Sequence, residues 1–376
     1  MFVECAVSLS VLVLCFLSQG CSNATVVDVD DVETVRLDNP GPQLRAVPVR
    51  CAVPMEGIYR GMAYDDYIFL LGMSWKTVYC VQKDTVISIL EASGRGHGEY
   101  SSIQDFAYSP MEKLLYVSAD GRLLKYSVPG MEFKGQTDLV VTPASMTVLN
   151  KDEILMNGSY IEDNGKDAYR GLCLVSSRTG KLMKKYYDLD ATGKKMLMPW
   201  DLTQAPGGIV FPVNSFNQNS ILFLDTADGS VRDLLTFSWC KNWRVPKRLA
   251  KLAVKDPIKY SIEESKETKH LEGVHFPTLI ESGLSFWCFP REENESRTVQ
   301  VLYKNNELIR RTYMIPGTGI TPSPLFYHHG FCVDIVSVTD FEDVDESKLS
   351  PFGRELKRTV NAQPFDNPVL LYFKVD

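Results

Sequence analysis

The sequence predicts an all-β protein, a six-bladed β-propeller with short helical insertions. Three observations carry this reading. Apolar and polar residues alternate at period two in short β-rich runs, broken about every 6–10 residues by clusters of Gly, Asp, Asn or Pro. Six successive units share one plan, a short strand, a tight turn, then two or three longer strands, and such self-similarity marks a radial repeat. The last unit ends after three strands, while a spare strand lies near the N-terminus, around Leu44–Val53. Pairing the two closes a ring and leaves no long free edge. These features favour the propeller over a β-sandwich or two barrels.

The units follow in order. The first holds Ile58–Tyr64, Tyr67–Met73, Thr77–Gln82 and Thr85–Glu91, with turns at Asp65-Asp66 and Lys83-Asp84. The second holds Asp105–Ser109, Leu114–Ala119, Leu123–Val128 and Glu132–Gln136. The third holds Ser145–Leu149, Ile154–Tyr160, Arg170–Ser176 and Leu182–Leu189. The fourth holds Asp201–Ala205, Ile209–Asn214, Ser220–Asp225 and Val231–Phe237. The fifth holds Phe276–Ile280, Leu284–Phe289, Thr298–Tyr303 and Leu308–Met314. The sixth holds Leu325–His328, Phe331–Val338 and Pro368–Val375. Turns such as Asp120-Gly121, Asp228-Gly229 and Asn305-Asn306 tolerate positive φ and suit tight hairpins. Two Lys- and Glu-rich insertions, Pro246–Leu271 and Asp340–Val360, have helix-compatible patterns and read as solvated helices capping one face, or as docking elements.

Composition sets outer limits. The chain has 376 residues, 44% apolar and 23% charged, which excludes wholesale disorder. A net charge of −7 argues against a nucleic-acid partner, which needs a basic footprint.

The N-terminus reads as an export signal. Ala6–Leu17 is almost wholly apolar, too short for the ~20 residues a bilayer crossing takes and right for a signal h-region. Ser18-Gln19-Gly20-Cys21 behind it resembles the lipobox of bacterial lipoproteins. That implies lipidation of the Cys21 sulfur, cleavage before it, and acyl chains that hold the chain in a membrane. The expected division is a signal peptide over 1–20, an acidic tether over 21–42, and one propeller domain over 43–376. Six cysteines remain beyond Cys21, most in apolar strands where a thiol behaves as a small hydrophobe, and none forms a Cys-x-x-Cys pair.

The stretch Glu91–Tyr100, with Asp105-Phe106 after it, resembles a Gly-x-Gly-x-Gly-Glu-[Tyr/Phe] signature. Six-bladed, TolB-like propeller lipoproteins of Bacteroidales carry it between their first and second blades. The ending Asp366–Lys374 resembles that family's last strand. The family often has Pro where this chain has His97. The resemblance implies the propeller fold and an outer-membrane lipid anchor, facing the periplasm or the surface, but no defined chemistry.

Candidate site residues are few. Gly94–Gly98 lacks dinucleotide-loop spacing, and a strand follows it rather than a helix, so its glycines serve an inter-blade turn. A second reading sets Arg95, His97 and Glu99 on the rim of a binding face. Asp105 and Asp201 open first strands, which converge on a propeller's channel, and could meet there as a carboxylate pair. His328-His329 would point to opposite faces of a strand. No metal-ligand spacing, calcium loop or nucleophile elbow is present, so no metal, cofactor or catalytic residue is expected. The reading is a monomeric, lipid-anchored binding or scaffolding module whose partner is an envelope protein complex or a glycan. The rival is a hydrolase or lyase acting on glycans or lactones at the channel mouth. An aromatic or apolar rim would favour the binder, and clustered carboxylates the enzyme.

Overall fold

The computed structural model describes residues 25–375, apart from 65, 162–166, 189–201, 215–218, 256, 265–268, 272, 281–282 and 293–294. Six antiparallel sheets form the ring. Blades 1 to 5 run outward from their inner strands Ile58–Tyr64, Ile103–Ser109, Val141–Asn150, Thr203–Ala205 and His275–Ile280. Each of these blades is a four-stranded meander in sequence order. Blade 6 takes Phe326–His328, Phe331–Val336 and Val369–Phe373 from the C-terminal end, and Leu44–Pro48 from the N-terminal end as its outer strand. The last pairing runs antiparallel from Leu44↔Phe373 to Pro48↔Val369. The ring is thus closed by the spare strand.

The acidic stretch before that strand differs from expectation. Composition reads 21–42 as a tether, yet from Thr25 onward it is folded onto the ring. Thr25–Val27 pairs in parallel with the outer strand of blade 4, and Glu33–Arg36 with the outer strand of blade 5. After serving blade 6, the chain bridges Arg50 to Thr85 on the outer strand of blade 1. The segment is a belt crossing four consecutive blades. The cause is in its apolar minority. Val27 and Val29 are fully buried in the core shared by blades 4 and 5, and Leu37 joins the core beside blade 6. Acidic side chains between them face solvent, so average composition hid a strand-like pattern. The belt also covers outer-strand edges that would otherwise invite pairing.

Every junction between neighbouring blades has its own fastening. Arg60 of blade 1 forms an ion pair with Asp105 of blade 2, and Asp105 Oδ2 accepts the Met146 N–H of blade 3 at 2.6 Å. Gln204 of blade 4 donates to Thr147 Oγ1 of blade 3 at 3.1 Å. The Asn214 amide mimics a strand partner, accepting from Val274 N–H at 2.8 Å and donating to its carbonyl at 3.2 Å. The Trp287 indole of blade 5 donates to Tyr327 OH of blade 6 at 2.7 Å. Phe326 of blade 6 packs against Gly61 of blade 1, where any Cβ would collide with its ring. These bonds satisfy polar groups that ring closure buries.

The meander sends its connections alternately to two faces. One face carries only short turns, the longest being 128–132, 177–181 and 226–230. Among the described residues, the long connections fall on the other, including 92–102, 315–325, 337–368 and the described parts of 240–274. The expected helices fall there, at Lys247–Lys255, Pro257–Glu264 and Pro351–Asn361. The last is capped by Ser350, whose hydroxyl accepts from Gly353 N–H at 3.0 Å, with Pro351 in the first turn. It buries Phe352, Leu356 and Val360 against blade 6.

Candidate functional site

The Gly-rich loop between blades 1 and 2 is fastened at many points. Tyr100 OH donates to the Lys76 carbonyl at 2.8 Å, and Tyr126 OH to the Gly98 carbonyl at 2.8 Å. Arg122 donates to the Glu99 carbonyl at 2.9 Å, while Glu99 Oε2 accepts the Gly96 N–H at 2.8 Å. Gly98 has φ +77°, and a Cβ there would lie 2.7 Å from the Phe133 ring. Only glycine meets both demands without strain. Arg95 and His97 are exposed, and His97 sets its ring edge against Phe133, 4.8 Å between centroids. Phe133 belongs to the outermost strand of blade 2. Arg95, His97 and Glu99 therefore sit at the periphery of the ring, away from the inner strand that holds Asp105.

Asp105 does not present a free acid to the channel. It is fully buried, with one oxygen paired to Arg60 and the other to the Met146 N–H. It ties three blades together, a role its place at the start of an inner strand did not reveal. Asp201, its proposed counterpart, lies outside the described residues, as does Cys21. His328 and His329 also depart from expectation. His329 takes φ +49° in the turn, so the rings lie together at 4.1 Å instead of on opposite faces.

Asp28, Asp30 and Cys240 bring their donor atoms within 4.8 Å of one another. They are mutually engaged. The Cys240 thiol donates to Asp28 Oδ1 at 3.4 Å, and Asp30 Oδ1 accepts the Trp243 indole N–H at 2.9 Å. Burial, with Asp28 adding to it, raises the Cys240 pKa and favours the protonated thiol that donates to Asp28.

Asp334 is the residue of blade 6 with the most perturbed carboxyl. Burial raises its pKa to about 7, against the opposing pull of N–H donors from Ser323 at 2.9 Å and Ile335 at 2.7 Å. The unfolded chain releases this proton near the ordinary 3.8, the folded chain only near 7. Folding therefore binds a proton between those values, and the residue's stabilising contribution is full below about pH 4 and lost as pH rises toward 7. Asp334→Asn, neutral throughout, is expected to gain melting temperature relative to the native chain between pH 5 and pH 8. A difference between the two that stays constant with pH would contradict this.

Sequence reasoning missed an apolar strip on the face of long connections. Phe365 is 57% exposed, and both it and Asp366 adopt positive φ. One residue on, Asn367 accepts Met55 N–H at 2.9 Å and donates to the Cys51 carbonyl at 3.4 Å, which places Phe365 beside the segment bearing Val53, 46% exposed. Met73, 59% exposed, donates its N–H to the Gly57 carbonyl at 2.7 Å. Trp75, at φ +60°, lies against Tyr59 with centroids 4.6 Å apart and the rings tilted by 34°. Tyr59 is the second residue of the inner strand of blade 1 and adjoins Arg60. These residues sit on three adjoining segments of one face: the blade 6 insertion, the 51–57 connection and the neighbouring end of blade 1. Positive φ at bulky residues costs of order 1–3 kcal/mol each. At Trp75 and Phe365 it places large apolar side chains where they remain accessible.

Comparison with known proteins bears on the fold. The sequence matches the family DUF5128, described as a 6-bladed beta-propeller, over residues 22–310. The chain belongs to this family. The match starts at residue 22 and so takes in all the described residues of the belt. Among solved structures, a putative exported protein from Bacteroides fragilis NCTC 9343 superposes with a TM-score of 0.67 at 10% identity, covering 92% of this chain and 100% of that one. A member of the DUF4221 family from Bacteroides vulgatus gives 0.50 at 8% identity, covering 90% and 96%. No curated protein matches the sequence. At such identities the structural likenesses establish the fold for this DUF5128 propeller and nothing of its chemistry.

Proposed function

We propose that this propeller is a lipid-anchored binding or scaffolding module of the cell envelope, docking a partner on its face of long connections. The apolar strip of Val53, Met73, Trp75 and Phe365 carries this reading. Exposed Val53, Met73 and Phe365 beside half-buried Trp75, with Trp75 and Phe365 at positive φ, mark an interaction surface. The carboxylate that an enzymatic reading would need, Asp105, is committed to joining blades. The partner classes that fit are an envelope protein, through apolar contact, and a glycan, through stacking on Tyr59 and Trp75. The exported relative and the lipobox-like Cys21 support the envelope location.

Capture from native envelope extract tests the docking face. Met73→Ser with Phe365→Ser should reduce the captured partner at least about tenfold, since two exposed anchors are removed. Met111→Ser, at a 66% exposed residue in a turn of the opposite face, should leave capture unchanged. Equal loss in both variants would sink the assignment. The anchor has its own test. Cys21→Ala should leave the detergent phase or remain unprocessed, and unchanged partition and processing would rule lipidation out.

A further inference from the structure

We propose that Lys241–Lys251 is a second membrane contact, a cationic surface that meets the phosphate headgroups of an anionic bilayer beside the lipid anchor. The proposal rests on the acylation of Cys21 put forward above. It starts from where the belt begins. Thr25 is already paired to blade 4, four residues after Cys21. Four extended residues reach at most about 14 Å. An acylated Cys21 therefore holds the rim of blade 4 close to the bilayer, where a 21–42 tether would have let the ring drift.

The basic stretch is fastened to that same rim. Cys240 N–H donates to the Val27 carbonyl at 2.8 Å, and Trp243 donates to Asp30. Arg244 donates to the Trp239 carbonyl at 2.9 Å and to Ser238 Oγ at 3.4 Å, and Ser238 is the ladder partner of Val26. Lys241, Arg244, Lys247, Arg248 and Lys251 are five cations in eleven residues without an acid, in a chain of net charge −7. All five are exposed, while Leu249 between them is buried and points the helix Lys247–Lys255 outward with its charges. Val26, 52% exposed, adds an apolar residue next to the anchor.

The belt sets Asp28, Asp30 and Asp31 near the patch, Asp28 and Asp30 accepting hydrogen bonds from the neutral Cys240 thiol and Trp243 indole, while Glu33 pairs with Arg311, so the cationic contact is carried chiefly by Lys241, Arg244, Lys247 and Lys251. Arg297 approaches the Trp243 ring at 6.0 Å and adds a cation. The helix Pro257–Glu264 contributes Lys259 together with Glu263 and Glu264. Basic residues near an anionic surface attract it within a Debye length, and a basic patch is a recognised complement to acyl chains. In a six-bladed ring, blade 4 lies opposite blade 1. The 240–274 connection shares its face with the strip, but a contact at the blade 4 rim lies across the ring from blades 6 and 1.

The test is vesicle co-sedimentation of a chain starting at residue 21 and carrying Cys21→Ser. It contains every described residue and no lipid. It should bind vesicles of phosphatidylethanolamine with phosphatidylglycerol at low salt, leave them at high salt, and ignore phosphatidylcholine. Lys247→Glu with Lys251→Glu should reduce partition at least about tenfold with the melting temperature preserved. No salt-sensitive binding, equal binding to neutral vesicles, or binding indifferent to charge reversal would overturn the contact, the second by making the association apolar and the third by moving it to another surface. Intact-mass measurement of the native chain reports acylation separately, so loss of the anchor reading and loss of the patch are distinguishable.

Discussion

A chain that begins at Arg50 is expected to aggregate or to lose its cooperative melt, whereas one that begins at Gly41 should still fold. The difference between them is the strand Leu44–Pro48. It supplies five register pairs along Val369–Phe373, the sole partner that edge has in blade 6. It also carries Leu44 and Val47 into the cores on either side of the blade. At about 1 kcal/mol net per ladder hydrogen bond and about 1.5–3 kcal/mol per buried aliphatic side chain, its loss rivals the 5–15 kcal/mol stability of a whole domain. It also leaves a long apolar edge that recruits other chains. The Gly41 chain loses Val27, Val29 and Leu37 from their cores and should melt lower, yet as a closed ring. Size-exclusion and thermal melts read both outcomes. An Arg50 chain that is monomeric with an unchanged melt would refute closure as a source of stability.

Asp105→Ala is expected to be among the most damaging single substitutions in the protein. It strands the partly buried Arg60 guanidinium without its counter-charge and removes the acceptor for Met146 N–H. Breaking one partner of a buried pair typically costs about 3–5 kcal/mol, because the remaining charge stays desolvated. Asp105→Asn keeps an acceptor for Met146 and should cost less. The double change Arg60→Met with Asp105→Leu removes both charges and should recover part of the loss. Chemical denaturation of the four chains measures the coupling. Asp105→Ala with native stability and reduced turnover on a candidate substrate would instead make Asp105 a chemical group, and would reopen the enzymatic reading.

Much of the ring was legible because strands announce themselves locally. Period-two alternation, Asp-Gly and Asn-Asn turns and the count of strands per unit are short-range signals, and together they placed six blades and the closing strand. The belt was not legible. Val27, Val29 and Leu37 are spaced among acids, and only the presence of an outer strand to pair with gives that spacing meaning. The sites fared differently from the fold. The signature at 94–100 predicted a turn between blades, and its bonding to Lys76, Tyr126 and Arg122 is consistent with that. The apolar strip draws on residues 53, 73, 75 and 365, each an unremarkable single position in its own segment.

The sequence by itself determined the class of fold, the number of blades, the place where the ring closes and the insertions that project from it. These follow from patterns within ten residues of one another and from simple counting. Tertiary structure alone decided that the acidic stretch is a belt, that Asp105 joins three blades, that His97 is peripheral, and that Val53, Met73, Trp75 and Phe365 share one face. The reason is physical. A side chain's role depends on what lies across a blade junction, and those partners are 41 residues away for Asp105 and Met146, or 312 for Met55 and Asn367. Alternation tells a residue which side of its strand it occupies, and only closure of the ring tells it what it meets there.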